Sequence, residues 1–177
     1  HEHVPAVGRR EFDRLWATCQ SFGEALQTVN ILKDIAHDAE HENSIYLPAT
    51  ELEAQGSGHA TILSPAHLEQ NHVVVDRYIA LARTDLDRAL EYTLTIPRRA
   101  FRVRAFCVLP LLFAYATLRD LRRSRAMLTR GGQVKISRRE VKALMVAGLL
   151  SIGSNAALRR LVARVQARPF SLVPAVG

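Results

Sequence analysis

Four polar side chains, Gln27, Asn30, Asp34 and Asp38, are spaced by three, four and four residues within the stretch QTVNILKDIAHDAEHENSIYLP, which runs from Gln27 to Pro48. At about 3.6 residues per turn they fall one above another on a single helix face. Apolar residues flank them, so they form a polar seam in an otherwise apolar helix. Two carboxylates beside buried surface repel each other and lose hydration unless a cation stands between or in front of them. Magnesium takes few protein carboxylates and leaves its other positions to phosphate oxygens and water, so the seam predicts Mg²⁺ and a phosphate-bearing substrate. A D-x-x-x-D spacing alone is also common on solvated helix faces. What favours a site here is the extension of the same face by Gln27 and Asn30, and Tyr46 just past the helix end.

The elements that must hold this seam are helical. From Glu11 to about His41, apolar residues at Phe12, Leu15, Trp16, Cys19, Phe22, Leu26 and Val29 recur at three and four, and Gly23 in their midst predicts a close packing contact. His1 to Arg10 reads as a loop, and Asn43 and Ser44 as the helix stop. Thr50 and Glu53 predict a capping box on a short helix ending near Gly56. Ser64-Pro65 then opens a helix to about Leu94, with Leu68, Val75, Ile79, Leu86 and Leu90 as its buried stripe. Arg99 to Arg123 is expected to be the most buried helix, kinked at Pro110 so that a space opens between helices. After the Gly131-Gly132 turn and an extended Val134-Lys135-Ile136, Ser137 and Glu140 predict a second capping box, on a helix to about Gln166. Gly148 and Gly153 within it predict close packing or a bend, and the tail from Pro169 reads as loop. With no strand pattern and no repeat, the expectation is an all-α chain, one helical domain over residues 1–177.

Composition agrees with a folded, soluble protein, at 48% apolar and 23% charged residues. A net charge of +7 suits an anionic partner, whether diphosphate or lipid headgroup. Aromatic residues are few and not interleaved with the arginines, which argues against nucleic acid. Cys19 and Cys107 lie far apart in apolar helical patterns and read as reduced core thiols, in keeping with a cytoplasmic location. The apolar runs Ala105 to Leu118 and Leu144 to Ile152 are shorter than the ~20 residues of a membrane span. A peripheral membrane contact through the arginines is the alternative location. The chain opens on a polar stretch with no apolar signal segment and no Met, which is expected of a fragment, a processed product or one half of something larger.

The seam and its tail resemble the second aspartate-rich motif of the squalene/phytoene synthases, the head-to-head prenyl transferases, whose pattern is close to L-Q-x-x-N-I-x-R-D-x-x-E-D followed by a Tyr-Leu-Pro-like segment. Phe106-Cys107-x-x-Pro110 with AYATL at Ala114 to Leu118 is similar to the squalene synthase branch. Gly132 to Ser137, GQVKIS, resembles the segment that the family places near its nicotinamide cofactor. The resemblance implies an isoprenoid synthase-type helical bundle and condensation of two farnesyl diphosphates through the cyclopropyl presqualene diphosphate. It also implies reduction by NADPH to squalene. It assigns Asp34 and Asp38 to Mg²⁺, with Gln27 and Asn30 beside them on the substrate side. Phe106 falls to the apolar cavity wall, Tyr46 to hydrogen bonding or proton handling near the diphosphate, and Lys135 to the cofactor phosphates.

Three positions depart from the pattern: His37 stands where a glutamate is usual, Lys33 where an arginine is usual, and Ser137 where a second basic residue is common. The family's first aspartate-rich motif has no counterpart upstream of Phe12, so the chain is expected to need an N-terminal half of the same fold, in cis or in trans. Phytoene or dehydrosqualene synthesis is the neighbouring alternative. A non-catalytic binding or assembly protein that kept the fold is the rival class.

Overall fold

The computed structural model describes residues 8–172. Six α-helices and no strand lie among them: α1 (Arg9–His37), α2 (Ala49–Glu53), α3 (Leu68–Thr95), α4 (Phe101–Leu121), α5 (Arg138–Ser151) and α6 (Asn155–Ala167). The loop expected over His1 to Arg10 falls outside the described residues up to position 7. Gly8 then supplies an extended N-cap, and Arg9 and Arg10 are already helical. The loop expected beyond Pro169 is present as far as Leu172, and its remainder lies outside the described residues.

Helix α4 is the axis of the bundle. Its residues Cys107, Val108, Leu111, Leu112, Ala114, Tyr115, Ala116, Leu118 and Leu121 are buried, and it touches α1, α3, α5 and α6. It runs through Pro110 as one element. At 21 residues, with a mean hydropathy of 1.5 over its best window, it is long and apolar enough to cross a membrane, which the shorter apolar run had not predicted. Half of that window is buried inside the bundle. Helix α1 makes its most extensive contact with α3. Val29, Leu32 and Ile35 of α1 meet Val75, Ile79, Ala82 and Leu86 of α3 in one apolar core. This packing fixes the seam on the opposite side of α1.

Three local expectations are corrected. Thr50 lies inside α2, whose N-cap is Pro48, so that capping box does not form. Ser137 does accept from the Glu140 N–H at 3.1 Å, but the Glu140 carboxylate turns inward to Arg119 instead of closing the box. The single helix expected to reach Gln166 is two: α5 ends at Ser151, and Ser154 caps α6 by accepting from the Ala157 N–H at 3.3 Å. Gly148 fits its prediction, since a Cβ there would stand 2.9 Å from Leu112 Cδ1.

Gly23 does not fit its prediction. A Cβ built on it meets nothing within 4 Å, so no close contact among the described residues requires a glycine. Gly23→Ala is therefore expected to stabilise the chain by about 0.5–1 kcal/mol through helix propensity, read as a higher urea midpoint with unchanged slope. A lower midpoint would mean that another segment occupies the space above it.

Candidate active site

The seam faces outward from the bundle. Gln27 and Asn30 are exposed on α1, and Asp34 and Asp38 are half-buried nearer its C-terminal end. Lys33 Nζ stands 2.9 Å from Asp34 Oδ2, so the lysine neutralises the first carboxylate of the pair along its own helix. Asp38 is crowded instead. Burial, then Glu42 and Asp34, hold its carboxyl above the usual aspartate range, with His37 and Lys33 opposing. A carboxyl with a raised folded-state pKa favours its neutral form in the fold, so its contribution to stability is present in acid and lost as pH rises through its titration. Asp38→Asn in the metal-free protein is thus expected to raise the melting temperature at neutral pH and to leave it unchanged in acid.

Beyond His37 the helix widens into a π-turn, Asp38–Glu42, which ends at Asn43 with φ of 49°, a left-handed conformation that asparagine tolerates. The turn gathers the ligand atoms of His37, Asp38 and Glu42 within 4.8 Å of one another. Glu40, on the same turn, accepts the Gly131 N–H at 3.0 and 3.2 Å and so ties the seam to the segment that carries Lys135. The sequence reading singled out neither Glu40 nor Glu42. The acidic run D-A-E-H-E was visible, but a regular helix would have spread these residues around the axis.

Two non-helical segments flank this end of α1 and share a pattern. In Ile45-Tyr46-Leu47, Leu47 is buried in the core and Ile45 packs against it, while Tyr46 between them is 61% exposed, an in-and-out alternation. His59 Nε2 fixes the strap through Leu47 O at 2.7 Å. In Val134-Lys135-Ile136, Val134 is buried, Ile136 packs on the core and Lys135 is exposed by the same alternation. A cleft of about 890 Å³ runs between the π-turn and the loops facing it, lined by Glu40, His41, Asn43, His59, Arg130 and Gly131 among others. The structure thus brings Asp34, Asp38, the acidic π-turn and, through Glu40, the loop ahead of Lys135 to one end of α1. It does not bring Phe106 there: that side chain stands 77% exposed on α4.

A divalent cation fits this donor set. Asp34, Asp38 and Glu42 are close enough that each of the other two raises the Asp38 carboxyl, and a cation would relieve that repulsion. For a nicotinamide cofactor the fit rests on Lys135 and on Arg138 and Arg139 at the start of α5, all exposed and all cationic. The Ser137 hydroxyl beside them is engaged in capping α5.

The all-α bundle, with its carboxylates presented along α1, is consistent with an isoprenoid synthase-type fold. The squalene/phytoene synthase family model matches residues 3–140, and the chain belongs to that family. Membership suggests a prenyl transferase acting on prenyl diphosphates, a property shared by the squalene and phytoene branches. The search of curated proteins found no match to the chain.

Proposed function

We propose that the chain serves the head-to-head condensation of two farnesyl diphosphates to presqualene diphosphate and on to squalene, with Mg²⁺ and NADPH, when joined by an N-terminal half of the same fold in cis or in trans. The observation that carries this reading is the outward seam of α1, where Asp34 and Asp38 line up beneath Gln27 and Asn30 and end in a crowded acidic turn. Bound there, Mg²⁺ supplies positive charge to the departing diphosphate. Asp34 and Asp38 hold the ion, while Gln27 and Asn30 orient diphosphate oxygens. Tyr46, thrown outward by its strap, donates a hydrogen bond to the diphosphate or handles a proton. NADPH, when bound, supplies the hydride of the reductive step, and Lys135 pairs with its phosphates. Phe106 contributes to an apolar wall that keeps water from the carbocation once the second half covers α4. In support, large apolar side chains stand uncovered, Phe106 on α4 and Trp16, 73% exposed, on α1.

Incubating the chain together with the N-terminal half, farnesyl diphosphate, Mg²⁺ and NADPH, and extracting the hydrocarbons, tests this reading. Squalene is the expected product. Phytoene or dehydrosqualene formed without regard to NADPH moves the chain to the neighbouring branch, and no condensation product sinks the proposal. One observation favours a second reading: His37 and the Lys33–Asp34 ion pair lower the negative charge of the seam. Diphosphate affinity that ignores both Mg²⁺ and Asp34→Asn would identify a non-catalytic binding or assembly protein.

A further inference from the structure

The π-turn does something that a regular helix cannot. Residues five apart on an α-helix point about 140° away from each other, whereas the wider π ladder, which bonds residue i to i+5, returns them to one side. His37 and Glu42 are five apart, and with Asp38 between them their ligand atoms lie within 4.8 Å of one another. Ion-to-ligand distances of about 2.0–2.2 Å need these atoms slightly closer, which rotamer adjustment of exposed side chains supplies. The ring of His37 is stacked on His41 with centroids 4.5 Å apart, and His41 Nδ1 is bonded to His37 O at 3.0 Å, so the imidazole is held beside the carboxylates. Asp34 stands apart from this trio, paired with Lys33.

We propose that His37, Asp38 and Glu42 form a mixed nitrogen and oxygen cation subsite that takes a borderline first-row transition ion, of the manganese, cobalt or zinc kind, in preference to magnesium. Magnesium is a hard ion that favours oxygen donors and dehydrates reluctantly. Imidazole favours the later divalent ions, whose affinity for such donors rises along the first row. The inference rests on the proposed reading of this end of α1 as its metal-bearing face, but it concerns which ion the chain selects and not the reaction.

Cobalt(II) is the probe, because its visible absorption reports nitrogen ligation without any turnover. The full chain is titrated at a pH above the imidazole range, in a His1→Gln, His3→Gln background so that those two imidazoles do not contribute. One cobalt absorption band is expected, retained in excess Mg²⁺ and displaced by Zn²⁺. His37→Gln and Glu42→Gln are each expected to weaken cobalt binding at least about tenfold, and Asp34→Asn to leave the spectrum unchanged. His37 and Glu42 are exposed and Asp34 is half-buried on an outward face, and far-UV circular dichroism monitors the fold of each variant. His37→Glu is expected to remove the nitrogen signature and let Mg²⁺ compete. Cobalt affinity unaltered by His37→Gln, or Mg²⁺ displacing cobalt as readily from the parent as from His37→Glu, overturns the inference. A chain that keeps the cobalt subsite but binds farnesyl diphosphate without regard to metal defeats the proposed function alone. Metal-dependent diphosphate binding with cobalt affinity untouched by His37→Gln defeats this inference alone.

Discussion

Glu140→Ala is expected to cost about 3–5 kcal/mol of folding stability, the usual consequence of stripping one partner from a buried ion pair. The Arg119 and Glu140 side chains are 2% and 5% exposed, and the guanidinium meets the carboxylate in bidentate fashion at 2.7 and 3.1 Å. The same carboxylate accepts the Phe170 N–H at 2.8 Å, and Arg119 also donates to Val165 O, Arg168 O and Asp120. One pair therefore joins α4, α5 and the end of α6. Burial lowers the Arg119 pKa, and its bonds to Asp120 and Glu140 outweigh that and leave it raised; a guanidinium does not deprotonate in proteins, so Glu140→Ala leaves a buried charge short of a partner. Denaturant unfolding measures the loss. The double replacement Arg119→Met, Glu140→Met should recover most of it, because two apolar side chains remove both desolvation costs together. A loss below about 1 kcal/mol in Glu140→Ala would place the pair in the class of solvated surface bridges.

The second large effect falls on activity. Asp34→Asn and Asp38→Asn, in the assembled protein, are each expected to slow condensation at least about a hundredfold, since each removes charge that holds the ion against the departing diphosphate. Acting on one ion, they should be far from additive. Both side chains are half-buried on an outward face, so folding should survive. Turnover within about threefold of the parent in either variant would remove that carboxylate from the machinery.

Periodicity made the seam legible because Gln27, Asn30, Asp34 and Asp38 lie within one helix, where spacing alone sets the face. The short non-helical piece Val134-Lys135-Ile136 between a glycine turn and a capping serine was legible too, because turn and cap signals are local. Where the outcome turned on a distant partner, the sequence was silent. Glu140 looked like a capping-box residue, and only the arrival of Arg119 from α4, 21 positions away, shows why it turns inward. Gly23 looked like a packing glycine because the sequence does not say what covers a helix. The break between α5 and α6 did carry a signal, Gly153 followed by a capping Ser154, but the apolar period continued across it and outweighed the cap. The π-turn carried none: the residues Asp38 to Glu42 are compatible with a plain helix, and their convergence with His37 follows only from the backbone.

The proposed activity requires that the seam of α1 bind diphosphate through a metal. Calorimetric titration of farnesyl diphosphate into the full chain, with and without Mg²⁺, measures this directly and needs no turnover. Affinity should rise at least about tenfold on adding Mg²⁺, and Asp34→Asn with Asp38→Asn should abolish the gain. An affinity indifferent to Mg²⁺, or equally metal-dependent in the double variant, would contradict it.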